Sequence, residues 1–353
     1  MMNERYARHI SLSEVGPAGQ TKLSQAKVLV VGAGGLGCPV LQYLAAAGVG
    51  TIGIVDFDKV SLSNLQRQIL YKENDIGKNK ALIAKEHLES LNSQIAIYAY
   101  PVLLDIKNCL EILPAYDLIV DGTDNFQTRY LINDLCCKLN KPMVYGSLYK
   151  FEGQVSVFNY KNGPSYRCLF PNPPKQGEVP NCNEIGILGV LPGQVGLLQA
   201  TEVLKIILGV GEILSGKMLY INVLNHSQRI IAFNKNQKII REIKNTDLQL
   251  IDINDCYVSQ EISLSDIDIE EKNLWVDVRE LEEEPQVDIK GLRRIPFSRL
   301  LSELQSISNS QKKILFCQSG VRAREAAQVL IKNNISEVYV LKEGAHALYS
   351  YLK

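Results

Sequence analysis

The stretch that decides the fold is AKVLVVGAGGLG, at residues 26–37. An apolar run at residues 28–31 leads into the pattern Gly32-x-Gly34-x-x-Gly37. In such a turn the first glycine permits a tight bend, the second lets the backbone approach phosphate oxygens, and the third packs a helix onto the strand. The N-terminus of that helix then faces a bound anion. The stretch therefore predicts the start of a nucleotide-binding α/β sheet.

Apolar runs and helical patterns alternate through the first two thirds of the chain. The predicted strands are residues 28–31, 51–55, 95–98, 118–120, 142–146 and 154–158, and the predicted helices are 37–48, 80–91 and 194–208. Buried strands separated by helices are typical of a doubly wound, Rossmann-like α/β fold with a mostly parallel sheet. Residues 167–193 are irregular and rich in Pro, Gly and Asn, and a loop of that length is usually functional or mobile.

A second, smaller α/β domain is predicted after a charge-rich region that begins near residue 230. Its predicted strands are 274–278, 313–317 and 338–341, with a helix at 322–332. We expect domains at residues 1–247 and 258–353, joined by a linker at 248–257. The length of 353 residues fits this division, since single cores rarely grow beyond about 250 to 300 residues. The acidic run at residues 280–284 is interpreted as a solvated face.

Composition excludes several classes of protein. Basic and acidic residues balance at 38 each, so net charge predicts neither a nucleic-acid nor a membrane partner. The sequence begins without a signal-peptide pattern, and no run reaches the roughly 18 apolar residues of a membrane span, so we expect a cytoplasmic protein. Eight scattered cysteines do not form the framework of a small secreted domain, and we expect free thiols.

The glycine pattern alone does not separate a nicotinamide or flavin enzyme from an ATP-binding one. Asp56, at the end of the second predicted strand, could accept ribose hydroxyls in either case. A triphosphate that is being cleaved also needs cations aimed at its developing charge, and Arg67 and Lys80 supply them. Each residue taken singly reads as an ordinary surface cation. Their position after the glycine turn and Asp56 favours ATP.

A carboxylate at the edge of the sheet is the candidate metal ligand. The fourth predicted strand runs into VDGTDN at residues 120–125, which places Asp124 where ligands bind in open α/β folds. Mg²⁺ is held typically by one or two carboxylates together with phosphate oxygens. Asp124 is therefore the predicted Mg²⁺ ligand.

This ordered set of motifs resembles the MoeB/ThiF family, relatives of ubiquitin-activating enzymes, over residues 1 to about 230. The motifs are RYAR at 5–8, GAGGLG at 32–37, DFD at 56–58, SNLQRQ at 63–68, Lys80 and TDN at 123–125. The resemblance implies an adenylyltransferase. Its substrate would be a small ubiquitin-fold sulfur carrier of the MoaD/ThiS type, ending in Gly-Gly. The C-terminal carboxylate of the carrier would attack the α-phosphate of ATP to give an acyl-adenylate and pyrophosphate.

The resemblance also implies which residues bind. The implied ATP-binding residues are Gly32, Gly34, Gly35, Gly37, Asp56, Asp58, Ser63, Asn64, Leu65, Gln66, Arg67, Gln68, Lys80, Asp124 and Asn125. Arg67, Lys80 and Asp124 would act in catalysis, with Asp124 on Mg²⁺. Arg8 would reach into the site of the partner subunit, which implies a homodimer.

Two cysteines stand in reactive settings. Cys182 lies in the irregular loop, where sulfur-transferring family members have a thiol that takes the acyl group or forms a mixed disulfide with the carrier; the alternative is a loop cysteine without a covalent role. Cys317 begins CQSGVR at residues 317–322, which with DVRE at 277–280 resembles a rhodanese. A cysteine in a turn before a helix, near an arginine, favours a thiolate or persulfide anion. Cys317 is the predicted persulfide carrier, held by Arg322 and loop amides.

The joining of the two units resembles a MoeZ-type fusion, with a persulfide donor such as a cysteine desulfurase. Two departures from the family patterns stand out. Residues 288–298 read DIKGLRRIPFS where rhodaneses commonly have a His-Ile-Pro-Gly-Ala-like segment. Many MoeB/ThiF members also carry two Cys-x-x-Cys pairs for zinc. Here residues 165–168 read SYRC and no second pair precedes residue 250, so we expect no structural zinc.

The remaining cysteines, Cys38, Cys109, Cys136, Cys137 and Cys256, are predicted to be small buried hydrophobes. Two other functions stay open from the residues alone: an NAD-dependent oxidoreductase and a redox-sensing nucleotide-binding module. Equilibrium binding of ATP compared with NAD would distinguish the oxidoreductase from an adenylyltransferase. Release of pyrophosphate in the presence of a carrier would distinguish the redox-sensing module from an adenylyltransferase. Whether the carrier serves molybdopterin, thiamine or another thio-cofactor pathway also stays open.

Overall fold

The computed structural model describes residues 2–174, 186–246, 260–269, 272–307, 311–333, 335 and 337–353. The chain divides into two compact units, Met1–Ile251 and Asp252–Lys353. The predicted linker at 248–257 lies outside the described residues. Within them, none of the helices is long and apolar enough to cross a membrane.

The first unit is built on an eight-stranded sheet. Its strands are β1 (Lys27–Val31), β2 (Thr51–Val55), β3 (Ala96–Tyr100), β4 (Leu118–Asp121), β5 (Met143–Tyr149), β6 (Glu152–Phe158), β7 (Lys217–Asn222) and β8 (Ser227–Ala232). The spatial order is β3-β2-β1-β4-β5-β6-β7-β8; the first five strands pair in parallel and the last three join antiparallel. This confirms the predicted mostly parallel α/β fold. The prediction missed β7 and β8.

Helices surround this sheet. They are α1 (Met2–Arg5), α2 (Ala7–Ile10), α3 (Gly16–Gln25), α4 (Gly37–Ala47), α5 (Lys80–Leu91), α6 (Ile106–Ile112), α7 (Phe126–Leu139), α8 (Tyr166–Leu169), α9 (Val190–Leu208) and α10 (Gln237–Asn245). The predicted start of α5 is correct because Asn79 caps it, its side chain accepting a hydrogen bond from the Leu82 amide. Helix α9 begins four residues before the predicted position, and α10 lies in the region where we expected only charge-rich pieces.

The core of the first unit lies on both faces of the parallel strands. Strands β1, β2 and β4 are buried along nearly their whole length, as expected where helices cover both faces of a parallel sheet. Helix α9 packs against α4 and against β5 and β6. This packing leaves the carboxyl ends of β1, β2 and β4 side by side at one edge, where the loops that follow them meet.

The second unit is a five-stranded parallel sheet with the order β11-β10-β12-β13-β9. Its elements are β9 (Gln260–Ile262), β10 (Leu274–Asp277), β11 (Leu292–Arg294), β12 (Lys313–Phe316), β13 (Val338–Leu341), α11 (Val321–Lys332) and α12 (Gly344–Tyr351). Strands β10, β12 and β13 and helix α11 were predicted within one residue at each end. The short strands β9 and β11 and helix α12 were not predicted.

Candidate active sites

The glycine turn after β1 packs directly on the turn after β4. Gly32 has a φ of +92°, and a Cβ atom there would lie 2.7 Å from the carbonyl oxygen of Gly122. A Cβ atom on Gly37 would lie only 1.9 Å from the carbonyl oxygen of Gly32. No larger residue fits either position without backbone movement. The two loops that carry the predicted ATP and Mg²⁺ residues are therefore neighbours.

The segment at residues 61–68 borders the same turn. A Cβ atom on Gly34 would lie 3.6 Å from Nε2 of Gln68, and one on Gly35 would lie 3.6 Å from Cγ of Arg67. Gln68 is 4% exposed, and its Oε1 has no hydrogen-bond partner among the described residues. Its amide group therefore lies beside the turn with acceptor capacity to spare.

Hydrogen bonds within residues 61–68 shape that segment. The Arg67 guanidinium donates to the Ser63 carbonyl oxygen at 3.0 Å, and the Asn64 side chain accepts from the Ser61 amide at 3.3 Å. The Gln66 carbonyl oxygen lies against Gly189, just before α9, and Leu65 packs against the hydrophobic core. Ser63 and Asn64 thus build the segment from which Arg67 projects.

Asp56 ties the end of β2 to the glycine turn. One carboxylate oxygen accepts the Ala33 amide at 2.8 Å, and the other accepts the Asp58 amide at 2.8 Å. Burial raises the pKa of Asp56 to about 6, while the charge of Lys80 acts in the opposite direction. The carboxyl group therefore titrates close to neutral pH.

Lys80 pairs with Asp58 across the same edge. The Lys80 Nζ lies 3.0 Å from Asp58 Oδ2; the lysine side chain is 6% exposed and that of the aspartate is 51% exposed. The Lys80 amide also donates to the Asp58 carbonyl oxygen at 2.9 Å. A mostly buried ammonium is thus held at the sheet edge by a carboxylate that faces solvent.

A buried ion pair beneath the β4 turn was not predicted from the sequence. Asp121, the last residue of β4, is fully buried and accepts Arg129 Nε at 2.8 Å. Its second oxygen accepts the Thr123 amide at 3.0 Å and hydroxyl at 2.6 Å, and Arg129 also donates to the Thr123 carbonyl oxygen. The Arg129 guanidinium lies 4.8 Å from the ring centroid of Tyr145. The only signal in the sequence is an aspartate that ends an apolar strand.

Gln199 of α9 extends this network. Its Nε2 donates to the Asp121 carbonyl oxygen at 2.7 Å. A Cβ atom on Gly146 would lie only 2.6 Å from the amide carbon of Gln199, so the two residues are in close contact. Gln199 is completely buried, and its Oε1 has no partner within the described part of the chain. The side chain links the ends of β4 and β5, which sets the shape of the sheet edge.

Asp124 differs from these buried groups. It is exposed, and it forms no hydrogen bond or ion pair with another described residue. Asn125, the next residue, caps α7 by accepting the Thr128 amide at 2.9 Å. The turn is therefore fixed on both sides of Asp124, and within the described ranges nothing pairs with its exposed carboxylate.

Two predicted residues lie apart from this edge or outside the described chain. Arg8 is exposed on α2, and its guanidinium forms neither a hydrogen bond nor an ion pair in the described ranges. Cys182 and Cys256 lie outside the described residues. Cys38, Cys109, Cys136 and Cys137 are buried, as predicted.

Cys168 occupies the position where the sequence showed half of a zinc motif. Its sulfur accepts the Ser165 amide at 3.4 Å and the Asn236 amide at 3.3 Å. These bonds join α8 to the start of α10, next to the contact of Ile240 with Cys137. Hydrogen bonds and apolar packing thus hold this corner together.

In the second unit the loop after β12 carries Cys317. The residue is 1% exposed, more buried than its polar loop sequence suggested, and its carbonyl oxygen accepts the Ala345 amide at 2.9 Å. Gly320, with a φ of +81°, turns the chain into α11. A Cβ atom on Gly344 would lie 2.4 Å from the Gln318 carbonyl oxygen, so the loop also packs closely on α12.

Arg322 is paired with Glu283, the half-buried member of the acidic run at residues 280–284; residues 280–282 and 284 are exposed, as expected for a solvated face. The Arg322 guanidinium makes two hydrogen bonds to the Glu283 carboxylate, and the Nη2 bond is 2.7 Å long. Glu283 also accepts the Glu280 amide at 3.0 Å. The hydrogen bonds from Arg322 lower the pKa of Glu283 to about 2. The bond to Glu283 raises the pKa of Arg322, and negative charge on Cys317 and Glu280 adds to that rise.

Arg279 is held by Asp277 at the end of β10. Both side chains are buried, and Arg279 Nη2 lies 2.7 Å from Asp277 Oδ2. The same guanidinium donates to the Pro285 carbonyl oxygen at 3.0 Å and to the Gln318 side chain at 3.4 Å. It therefore connects β10, the acidic stretch and the Cys317 loop.

The glycine turn with its flanking carboxylates and cations, followed by a cysteine loop before a helix, defines a two-domain transferase. A model of the ThiF family matches residues 6–240, and a model of the rhodanese-like domain matches residues 263–350. The chain belongs to the ThiF family and carries a rhodanese-like domain after it, which makes it an enzyme of the adenylyltransferase and sulfurtransferase class. The resemblance drawn from the motifs is confirmed.

Individual relatives cover one or both units. The chain is 40% identical over 357 residues to a probable adenylyltransferase/sulfurtransferase MoeZ of Mycobacterium tuberculosis, covering 96% of this chain and 91% of that protein. It is 52% identical over 240 residues to a sulfur carrier protein adenylyltransferase of Thermus thermophilus, covering 67% of this chain and 89% of that protein. The adenylyltransferase and sulfurtransferase MOCS3 of Culex quinquefasciatus is 54% identical over 215 residues, 61% of this chain and 49% of that protein.

Among solved structures, E. coli MccB with ATP has a TM-score of 0.59 to this chain at 25% identity. The match covers 67% of this chain and 73% of MccB.

Proposed function

We propose that this enzyme activates the C-terminal glycine of a small ubiquitin-fold sulfur carrier with ATP and then replaces the activated oxygen with sulfur carried by Cys317. Support comes from relatives named for sulfur carrier adenylylation and for combined adenylyl and sulfur transfer. Use of ATP follows from the adenylyltransferase class. The molybdopterin and thiamine pathways are both compatible with such a carrier.

One observation carries the first half of the proposal: a glycine turn, cations and an exposed carboxylate meet at one edge of the sheet. Gly32 contacts Gly122, which places the glycine turn against the loop of Asp124. Arg67 and the Lys80–Asp58 pair border the same edge. This is the arrangement that a reaction at a triphosphate requires, because negative charge shifts to pyrophosphate as the α-phosphate is attacked.

Each group then has a proposed task. The carboxylate oxygen of the carrier attacks the α-phosphate, the bond to the bridging oxygen breaks, and pyrophosphate leaves with the electron pair. Backbone amides of Gly34 and Gly35 would receive phosphate oxygens, Asp56 the ribose hydroxyls, and Arg67 and Lys80 the developing charge. Gln68, whose Nε2 lies beside Gly34 and whose Oε1 has no partner among the described residues, would accept a hydrogen bond from the nucleotide through that oxygen.

Asp124 and Asn125 fit a Mg²⁺ site in their chemistry. Both offer oxygen donors, and the exposed Asp124 carboxylate has no competing cation among the described residues. The ion would supply positive charge against the phosphates. Arg8 would complete the site of the partner subunit in a homodimer.

The sulfur step is proposed for the second unit. A donor such as a cysteine desulfurase would load a persulfide onto Cys317. Its terminal sulfur would attack the acyl carbon of the acyl-adenylate, and AMP would leave with the electron pair, so that an acyl disulfide joins the carrier to Cys317. A second thiol would then attack the Cys317 sulfur, break the S–S bond and form a disulfide with Cys317, and the carrier thiocarboxylate would leave. Sequence context alone suggests that Cys182 acts between the two steps. It would take the acyl group or form a mixed disulfide with the carrier.

Exchange of pyrophosphate into ATP, driven by a carrier of the MoaD/ThiS type, tests the first step. Asp124→Ala should lower the exchange rate by about a hundredfold or more while the melting temperature stays unchanged, since an exposed carboxylate supports no packing. Glu111→Ala removes an exposed carboxylate elsewhere in the same unit and is the matched control. Wild-type exchange by the Asp124 variant would remove this residue from the mechanism.

The intact mass of the carrier, after incubation with ATP and a sulfur donor, tests the second step. Cys317→Ala should leave pyrophosphate exchange near wild type and abolish the thiocarboxylate product. Cys182→Ala should spare exchange and lower only thiocarboxylate yield. Full yield from the Cys317 variant would show that the second domain is not the sulfur source, and full yield from the Cys182 variant would make that residue a bystander.

A further inference from the structure

The charge around the Cys317 loop is balanced by carboxylates rather than left positive. Arg279 is paired with Asp277, and Arg322 is paired with Glu283 through two hydrogen bonds. Glu280 adds further negative charge beside Arg322. Arg322 and Arg279, which bonds to the Gln318 side chain of the same loop, are thus already neutralised when a sulfur donor arrives.

Small inorganic sulfur donors and persulfides make opposite demands on such a loop. Thiosulfate carries two negative charges, and the thiolate that attacks its outer sulfur carries a third. The sulfur–sulfur bond of thiosulfate breaks, sulfite leaves with the electron pair, and Cys317 keeps the outer sulfur. This reaction brings three negative charges together, so it needs an unpaired cation beside the thiolate to offset their repulsion.

A persulfide donor, R–S–SH, brings much less charge. The Cys317 thiolate attacks its terminal sulfur, the donor S–S bond breaks, and R–S⁻ leaves with the electron pair and with the single charge that the thiolate brought. Total charge in the loop stays at one negative unit throughout. A paired arginine is sufficient for this reaction.

We propose that Glu283 is a specificity-determining residue that neutralises Arg322, and so directs Cys317 to persulfide donors and away from thiosulfate. The inference rests on the proposed sulfur transfer and deepens it by naming the residue that selects the donor. Glu283 is held for this task, since the Glu280 amide fixes the carboxylate that receives Arg322. It acts on the donor through Arg322 and takes no part in bond making.

The test compares sodium thiosulfate with N-acetylcysteamine persulfide, which has no charged group besides its sulfur, as donors to the full-length protein. Glu283→Gln keeps the shape of the side chain and an acceptor oxygen for Arg322 but removes the charge. We expect kcat/KM for thiosulfate to rise at least about fivefold, mostly through a lower KM, because one like charge near a dianion is gone. We expect kcat/KM for N-acetylcysteamine persulfide to change by less than about twofold.

Glu282→Gln is the matched control, since Glu282 is exposed in the same acidic run and forms no ion pair within the described residues. It removes the same charge from the protein and should leave both donors unchanged. Added NaCl gives a second readout: repulsion should make the wild-type rate with thiosulfate rise with ionic strength, and this rise should shrink in the Glu283 variant.

An unchanged or lower rate with thiosulfate in the Glu283 variant would overturn the inference, because Glu283 would then serve only to position Arg322. Failure of the wild-type protein to accept sulfur from either donor would instead refute the proposed sulfur transfer. Circular dichroism and carrier-dependent pyrophosphate exchange establish that the variant is folded.

Discussion

Both candidate sites of this chain are supported by a buried aspartate–arginine pair. In each unit a central parallel strand ends in a buried aspartate, Asp121 in β4 and Asp277 in β10, and each aspartate holds a buried arginine. Each arginine also bonds to a carbonyl oxygen of the functional loop, at Thr123 in the first unit and at Pro285 in the second.

The two pairs differ in what they hold in place. Arg129 lies eight residues after its aspartate, on α7, and fixes a turn whose next carboxylate, Asp124, is exposed. Arg279 lies two residues after Asp277 and fixes a loop whose thiol, Cys317, is buried. The exposure of Asp124 suits its proposed role toward Mg²⁺ and ATP, which arrive from solvent, and the burial of Cys317 suits the proposed persulfide, which is sheltered from water. A buried ion pair provides the rigidity that either arrangement requires.

The largest expected effect comes from breaking the first pair. Arg129→Ala leaves the Asp121 charge buried without its partner, which should lower the free energy of unfolding by about 3–5 kcal/mol. Hydrogen exchange measured by mass spectrometry should show the loss in α7 and β4 and leave the strands of the second unit as protected as in the wild type. The double variant Asp121→Asn/Arg129→Gln should recover part of the stability, because no unpaired charge remains; no recovery would mean that packing against Tyr145 dominates.

Breaking the second pair should lower the free energy of unfolding by somewhat less, and only in the second unit. Arg279→Ala should cost about 3 kcal/mol, at the lower end of the range for broken buried pairs. Among the described residues its guanidinium lies over one aromatic ring, that of Phe316, whereas the Arg129 guanidinium lies over three. Sulfur transfer should be lost and carrier-dependent pyrophosphate exchange retained, as measured on the same preparation. Loss of exchange in this variant would contradict the assignment of the two reactions to separate units.

Lys80 distinguishes a ligand-facing charge from a structural one. Lys80→Met keeps the buried stem and leaves Asp58 facing solvent, so the melting temperature should change little. Pyrophosphate exchange should fall by on the order of a hundredfold, and Arg67→Ala should give a similar loss. If both variants lost NAD affinity and kept ATP chemistry, the triphosphate assignment would be wrong.

The smallest effect concerns pH. Since burial raises the pKa of Asp56 to about 6, the carboxylate is mostly charged at pH 7 and mostly protonated at pH 5. Affinity for ATP should therefore fall as the pH drops through 6, by about tenfold or less for one charged hydrogen bond. Calorimetric titrations of wild type and Asp56→Asn measure it. The titration of ATP itself is common to both proteins, so equal pH profiles would exclude Asp56 as the cause.

Local sequence patterns were sufficient to predict the parallel strands of the core and the glycine turn. Strands β1, β2 and β4 are continuous apolar runs, and the capping Asn79 marks the start of α5. The antiparallel strand β8 was missed because most of its residues are exposed, so neither an apolar run nor a two-residue alternation marks it. Helix α10 was missed because only two of its residues, Ile240 and Ile243, are buried.

By itself the sequence determined the class of fold, the family and the order of the motifs, because strand periodicity, turn glycines and the spacing of a cysteine loop are local properties of the chain. Only the tertiary structure decided the pairing of Asp121 with Arg129, the position of Gln199 beneath Gly146, and the neutralisation of Arg322 by Glu283. These contacts join residues up to 53 positions apart, from Gly146 to Gln199. They depend on which strands are neighbours and on which loops share an edge. Such contacts follow from packing the whole sheet, and no local pattern encodes them.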